Sequence, residues 1–246
     1  MPPLFARRLL SPAPGADGLK LAVAWGLVVS CLEVMPFGHL HAQQVARTQP
    51  EKFAAIEGLY TSRTAAPIAR FALPFTKPPQ LKAAVEIPGL LSWMAFGDVH
   101  APVKGINEFP PENIPPLWLT FVSFHNMVLL GLYFIAAMGW GMLLLVRGKL
   151  WERRRYLTLL VWSLPLPVVA CQLGWMAAEV GRQPWIVYGL LRTADGVSHG
   201  VPAGDILATI ILFSLVYLAL GALWLFLLVR EVKHGPEPAA ARAQEA

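Results

Sequence analysis

Residues 117–146 read LWLTFVSFHNMVLLGLYFIAAMGWGMLLLV, thirty positions with no formal charge except what His125 can carry. At about 1.5 Å per residue, a helix of that length crosses a hydrocarbon core about 30 Å thick. Two more runs follow the same pattern. Leu157–Val180 holds Glu179 as its only charge, with Pro165 and Pro167 placed to kink it. Ile206–Val229 carries no charge at all. A fourth run, Leu19 to Gly38, is shorter, has Glu33 near its end and is closed by Pro36. A polar residue at a helix end can reach the interface, so this run also reads as a span.

The rest of the composition agrees. Of 246 residues, 56% are hydrophobic and only 14% charged, where a soluble domain carries about a quarter. With 9 Trp and 12 Phe, that deficit excludes a disordered chain and argues against an ordinary cytosolic enzyme. The 22 Pro and 20 Gly cluster between the apolar runs, which divides them into separate helices. Cys31 and Cys171 both lie inside apolar runs, so no disulfide framework or CxxC metal motif arises. Gly131, Gly139 and Gly141 read as helix-packing positions, not as a phosphate-binding loop.

Lysine and arginine orient the spans. Three lie towards the N-terminus (Arg7, Arg8, Lys20), five in the 147–155 loop (Arg147, Lys149, Arg153, Arg154, Arg155) and three near the C-terminus (Arg230, Lys233, Arg242). The other short loop has only Arg182 and Arg192. Both termini are therefore expected in the cytoplasm, and the net charge of +5 reflects topology and not nucleic-acid binding. The expected fold is an all-α integral membrane protein of four transmembrane helices with a long periplasmic loop after the first. Its boundaries are a cytoplasmic tail 1–18, helix 19–38, outer loop 39–116, helix 117–146, cytoplasmic loop 147–156, helix 157–180, outer loop 181–205, helix 206–230 and cytoplasmic tail 231–246. The N-terminal stretch, lacking a small-x-small cleavage site after a proper apolar region, reads as a tail and not as a signal peptide.

Few residues carry chemistry. Glu179 shares a helix face with Trp175 and Arg182, four before and three after it. An ionisable residue at membrane depth is a functional candidate; a Glu–Arg interfacial pair capping a helix end explains it equally well. Met127, on the outer side of its span, reads either as packing or as an axial haem ligand. His125 lies about 200° round the helix from it, so the two cannot face one iron; His125 fits a haem ligand or a hydrogen bond to a propionate or carbonyl. The outer stretch Gln49-Pro50-Glu51-Lys52-Phe53-Ala54-Ala55-Ile56-Glu57-Gly58 sets a Lys and a Glu beside aromatics, suited to an amphipathic head group or simply to a solvated helix start. Lys52 and Glu57, about 140° apart on a regular helix, cannot grip one head-group oxygen together, so this stretch is expected to break its helix or to sit at a helix start, with only one of the two touching the head group. His39 and His41 lack a third ligand.

Three of these stretches resemble subunit I of the cytochrome bd family of membrane quinol oxidases. Gln49–Gly58 is similar to the family's quinol-loop motif, which implies that Lys52 and Glu57 act at the quinol site. Ser123-Phe124-His125-Asn126-Met127-Val128 resembles the segment whose methionine is an axial ligand of low-spin haem b. Gly174–Trp185 matches the W-x-x-x-E-x-G-R-Q-P-W signature, which implies that Glu179 serves the high-spin haem pair, with Arg182 and Trp175 lining its pocket. His125 stands where the family usually has Arg, and the outer loop is of the short type.

The resemblance covers the C-terminal half of the family subunit, so the missing histidine ligands and proton-path carboxylates are expected on a second chain carrying the N-terminal half. It implies a split subunit of a quinol:oxygen oxidoreductase in the bacterial inner membrane. Electrons would pass from quinol through low-spin haem b at Met127 to high-spin haem b and either haem d or a second haem b, where oxygen is reduced to water. A subunit II-like membrane partner and surrounding lipid complete the expected assembly. The alternative is a non-catalytic haem- or quinol-binding anchor of a larger respiratory complex.

Overall fold

The computed structural model describes residues 16–70, 73–76, 79–82, 85–197 and 200–234. Arg7, Arg8 and Arg242, which enter the charge count, lie outside the described residues. The chain is mostly helical, with four helical segments long and apolar enough to cross a membrane: Gly18–Thr48, Leu117–Val146, Arg154–Val180 and Ala203–His234.

The first segment corrects the expectation that Pro36 closes it. Helix α1 (Ala16–Leu32) runs into a five-residue π-helical turn, Glu33–Phe37, and continues as α2 (Gly38–Thr48). Proline lacks an N–H and its ring presses on the carbonyl of the preceding turn. A wider turn relieves both problems; the Gly38 N–H bonds to Glu33 O, five residues back, as well as to Met35 O. Gln49 then breaks the helix (φ −142°, ψ 68°), and Pro50 opens α3 (Pro50–Glu57) at a position where its missing N–H costs nothing. Gly58, at φ 64°, ends α3, with Leu59 N–H on Ala54 O at 2.9 Å.

Beyond α3 lie two short antiparallel ribbons. β1 (Ile68–Arg70) pairs with β4 (Val85–Ile87), and β2 (Leu73–Thr76) with β3 (Pro79–Lys82). Helix α4 (Leu90–Phe96) folds back on α2, where Trp93 stacks on His39 with centroids 5.2 Å apart. Val45, Phe53, Ile56, Leu59, Ile68, Leu91 and Val103 form a buried apolar core for this outer layer. It rests on the start of α5 (Leu117–Val146) through Phe124.

Small residues bring the spans together. A Cβ on Gly26 of α1 would meet Met138 Sδ of α5 at 2.9 Å, and one on Gly131 of α5 would meet Val34 at 2.7 Å. The turn after α5 tucks Leu150 beneath Leu144, Tyr156 and Leu157. The third span is interrupted at Leu164–Pro165, giving α6 (Arg154–Ser163) and α7 (Leu166–Val180). A β-hairpin, β5 (Trp185–Val187) and β6 (Leu191–Arg192), follows at the outer surface. Helix α8 (Ala203–His234) closes the described chain and has no buried residue.

Candidate functional site

The outer ends of α3, α5 and α7 converge on one polar junction. Gly181, just past α7, makes it possible: a Cβ there would lie 2.5 Å from Ala177 O, 3.0 Å from Thr120 Cγ2 and 3.3 Å from Lys52 Cε. Lys52 reaches from α3 across this gap and donates from Nζ to Ala178 O at 3.2 Å. One residue further, Glu179 is ion-paired with Arg182. Burial lowers the Lys52 pKa from the usual 10.5; the Arg182 charge lowers it further and Glu179 opposes both.

The structure therefore joins Lys52 to Glu179 and Arg182, residues of two motifs separated by more than a hundred positions. Glu57 sits elsewhere on α3: it is buried, 4% exposed, at the end of the helix that adjoins the apolar core. The stretch sits at a helix start, one of the two expected arrangements, and Lys52 and Glu57 both lie within that helix, which begins at Pro50. Trp175 is largely exposed on α7, one turn before Glu179. Beside it, Gln183 donates to Glu179 O at 3.4 Å and accepts from Thr193 Oγ1 at 2.7 Å.

Sequence reasoning gave no role to four side chains at this junction. Glu51, 9% exposed, accepts a 2.5 Å hydrogen bond from Tyr188 Oη. Burial, the hydrogen bond to Glu51 and its negative charge push Tyr188 up to about 12, so it stays a donor at ordinary pH. Arg192 donates to Asn113 Oδ1 at 2.8 Å and lies over the Trp185 ring, 4.9 Å from its centroid. Glu51, Lys52, Asn113, Arg182, Trp185 and Tyr188 line a shallow outer cleft. Glu51 stood inside a quoted motif, but nothing in sequence spacing pairs it with a tyrosine 137 positions away.

Deeper in the spans, Met127 points from α5 to α7, where its Sδ lies 2.9 Å from the place a Cβ on Gly174 would occupy. His125 faces another way: its ring stacks on Phe121 at 3.9 Å, with Nδ1 3.0 Å from Phe121 O. Among the described residues no three His, Cys, Asp or Glu gather to hold a bare metal ion. His39 lies within hydrogen-bonding distance of Gln43, 3.2 Å away. Isolated donors, a thioether at Met127 and a carboxylate at Glu179, fit a haem, whose macrocycle supplies four ligands and leaves axial positions to the protein.

A family model described as cytochrome bd terminal oxidase subunit I matches residues 8–236. The chain is 38% identical over 231 residues to cytochrome bd ubiquinol oxidase subunit 1 of Bacillus subtilis (strain 168), covering 90% of this chain and 49% of that protein. It is 33% identical to a putative cytochrome bd menaquinol oxidase subunit I of the same organism, over 89% of this chain and 48% of the relative. Its structure is similar to that of the bd oxidase from Geobacillus thermodenitrificans, with a TM-score of 0.80 and 30% identity, over 95% of this chain and 54% of that one. The chain spans about half the length of the curated relatives it matches.

Proposed function

Because the chain belongs to the cytochrome bd terminal oxidase subunit I family, we propose that it works as the C-terminal half of the haem-bearing subunit of a quinol:oxygen oxidoreductase. The assembly lies in the bacterial inner membrane, with both termini of this chain cytoplasmic. A second chain supplies the other half of the subunit, and a subunit II-like protein completes it. The observation that carries this reading is the outer junction. Lys52, from the stretch similar to the quinol loop, is hydrogen-bonded one residue before Glu179, the carboxylate of the W-x-x-x-E-x-G-R-Q-P-W signature.

Met127 and Glu179 would each hold a haem through one donor, low-spin haem b at Met127 and a high-spin haem at Glu179. The haems supply the redox centres that carry electrons from quinol to oxygen. Trp175, Arg182 and His125 belong to the surroundings of these donors. With one donor per haem on this chain, the remaining ligands come from the partner half.

The quinol head group binds from the outside, near Lys52 and Glu57. Oxidising a quinol releases two protons as two electrons leave, so the site needs a base. Glu57 takes that role, since a charged lysine can only donate. Only Glu57 touches the head group directly; Lys52 holds Glu57 ionised or anchors the loop through its charge.

The test is oxygen uptake by the assembled complex with Glu57→Gln. Uptake from a short-chain ubiquinol should fall about 100-fold, the usual worth of a general base. Haem content, and uptake driven by ascorbate-reduced tetramethylphenylenediamine, should persist. Collapse of both activities with intact haems would show that the loop serves the electron path and not quinol. Normal haems with no oxygen uptake in the unmutated complex would favour the non-catalytic anchor.

A further inference from the structure

Glu51 and Tyr188 take no part in the chemistry proposed above, yet they make a short hydrogen bond across 137 residues of chain. A carboxylate as buried as Glu51 is costly unless donors satisfy it, and Tyr188 is a donor fixed in place. It sits in the turn of the β5–β6 hairpin, where Leu190 N–H returns to Val187 O at 3.0 Å and Gly189 adopts φ 72°. That hairpin is fastened at its base by Arg192 on Asn113 and by Thr193 N–H on Pro184 O at 2.8 Å. Helix α3, by contrast, has only eight residues and begins at the break at Gln49. The core holds Phe53 and Ile56 of its later turns, while Glu51 and Lys52 lie in the first turn, directly after that break.

Two tethers thus reach α3 from the stretch 178–188, and they land on neighbouring residues: Tyr188 on Glu51, Ala178 O on Lys52. We infer that Glu51 and Tyr188 are positioning residues of the quinol site, whose hydrogen bond holds Lys52 in register with the outer end of α7. The inference rests on the quinol-site reading of Lys52. Fixing the carboxylate of residue 51 fixes the backbone that carries residue 52. Neither residue exchanges a proton or an electron with substrate; they act through Lys52.

The assembled oxidase in its native membrane tests this with a short-chain ubiquinol as substrate. Tyr188→Phe should raise the quinol KM about tenfold, as expected for losing one hydrogen bond to a charged group. The kcat should stay within about twofold of wild type, with haem content and uptake from reduced tetramethylphenylenediamine unchanged. Glu51→Leu should behave as Tyr188→Phe does. Glu51→Gln, whose amide oxygen still accepts from Tyr188, should keep most of the wild-type KM. In a Lys52→Ala background, Tyr188→Phe should add nothing, because both act on one contact.

If Lys52→Ala raises KM and Tyr188→Phe does not, the positioning role is wrong and the quinol reading stands. If Lys52→Ala leaves KM unchanged, the quinol reading of Lys52 fails, and the positioning role falls with it. A Glu51→Gln defect as deep as that of Glu51→Leu would make Glu51 a base and overturn the inference. So would loss of haem in Tyr188→Phe.

Discussion

The outer junction and helix α8 stand at opposite extremes within one chain. At the junction, α3, α5 and α7 meet so closely that Gly181 has no room for a methyl group, and Lys52, Glu179, Arg182, Glu51 and Tyr188 each have a hydrogen-bond or ion-pair partner within this chain. Helix α8 is as long as any span, yet none of its residues is buried and Gly221 at its middle has nothing within 4 Å. The junction's contacts are made within the chain; the large apolar surface of α8 has to be covered by something else, lipid or protein.

The largest effect expected from this contrast is all-or-none. On the proposed function, the chain produced without a partner half should reach the membrane but show almost no Soret absorbance, since this chain would offer each haem one donor. Co-production with the other half should restore it. A strong six-coordinate haem b spectrum from the isolated chain would break the comparison by making the chain self-sufficient.

Glycine substitutions sharpen it next. Gly181→Ala places a Cβ against the Ala177 carbonyl, a backbone atom that cannot swing aside, and presses on Lys52. Overpacking of this kind costs about 1–3 kcal/mol; borne by the Lys52 contact, that would raise quinol KM by about fivefold or more. Gly221→Ala should leave KM and haem content unchanged and add up to about 1 kcal/mol of helix stability. A drop in assembly yield for Gly221→Ala would show that the partner half, and not lipid, packs on that face.

The smallest expected effect is a pH limb. Lys52 titrates below 10.5 because burial and Arg182 disfavour its charge. Quinol affinity that depends on this charge should be full at neutral pH and decline as pH rises through that lowered value, earlier than an ordinary lysine would give. Lys52→Arg keeps its charge throughout and should flatten the limb of a KM-against-pH profile. A limb unchanged in Lys52→Arg belongs to another group.

What the sequence makes legible follows from the range of the forces involved. The spans are visible because hydrophobicity is summed over some twenty neighbouring residues. The break at Leu164–Pro165 is visible because proline acts on its own turn. Helix α2 is not, since Pro36 reads as a stop unless one knows that the turn widens around it. In the site, Glu179 and Arg182 are three apart and announce themselves. Lys52 and Glu57 pair naturally at five residues' separation, but the charges acting on Lys52, those of Glu179 and Arg182, come from the end of α7 and the turn just after it. The bond from Tyr188 to Glu51 belongs to tertiary structure alone, and no periodicity encodes it. Gly174 and Gly181 are visible only as small residues until their neighbours are in place.

The π turn at Glu33–Phe37 also sets the phase between the two halves of the first span. A helix keeps a constant phase, so a residue's direction is set by counting back about 100° per step. One widened turn resets that count. Below it, Val23 and Gly26 address α5; above it, His39 addresses Trp93 in the outer layer. The first span therefore works as a spline with a deliberate offset, transmitting position from the membrane to the outer layer but not angle. Removing a single residue from 33–37 would leave both halves helical and both surfaces intact, yet turn the outer half by about a quarter of a revolution. Alignments of such chains should accordingly tolerate substitutions in this turn far better than a change in its length.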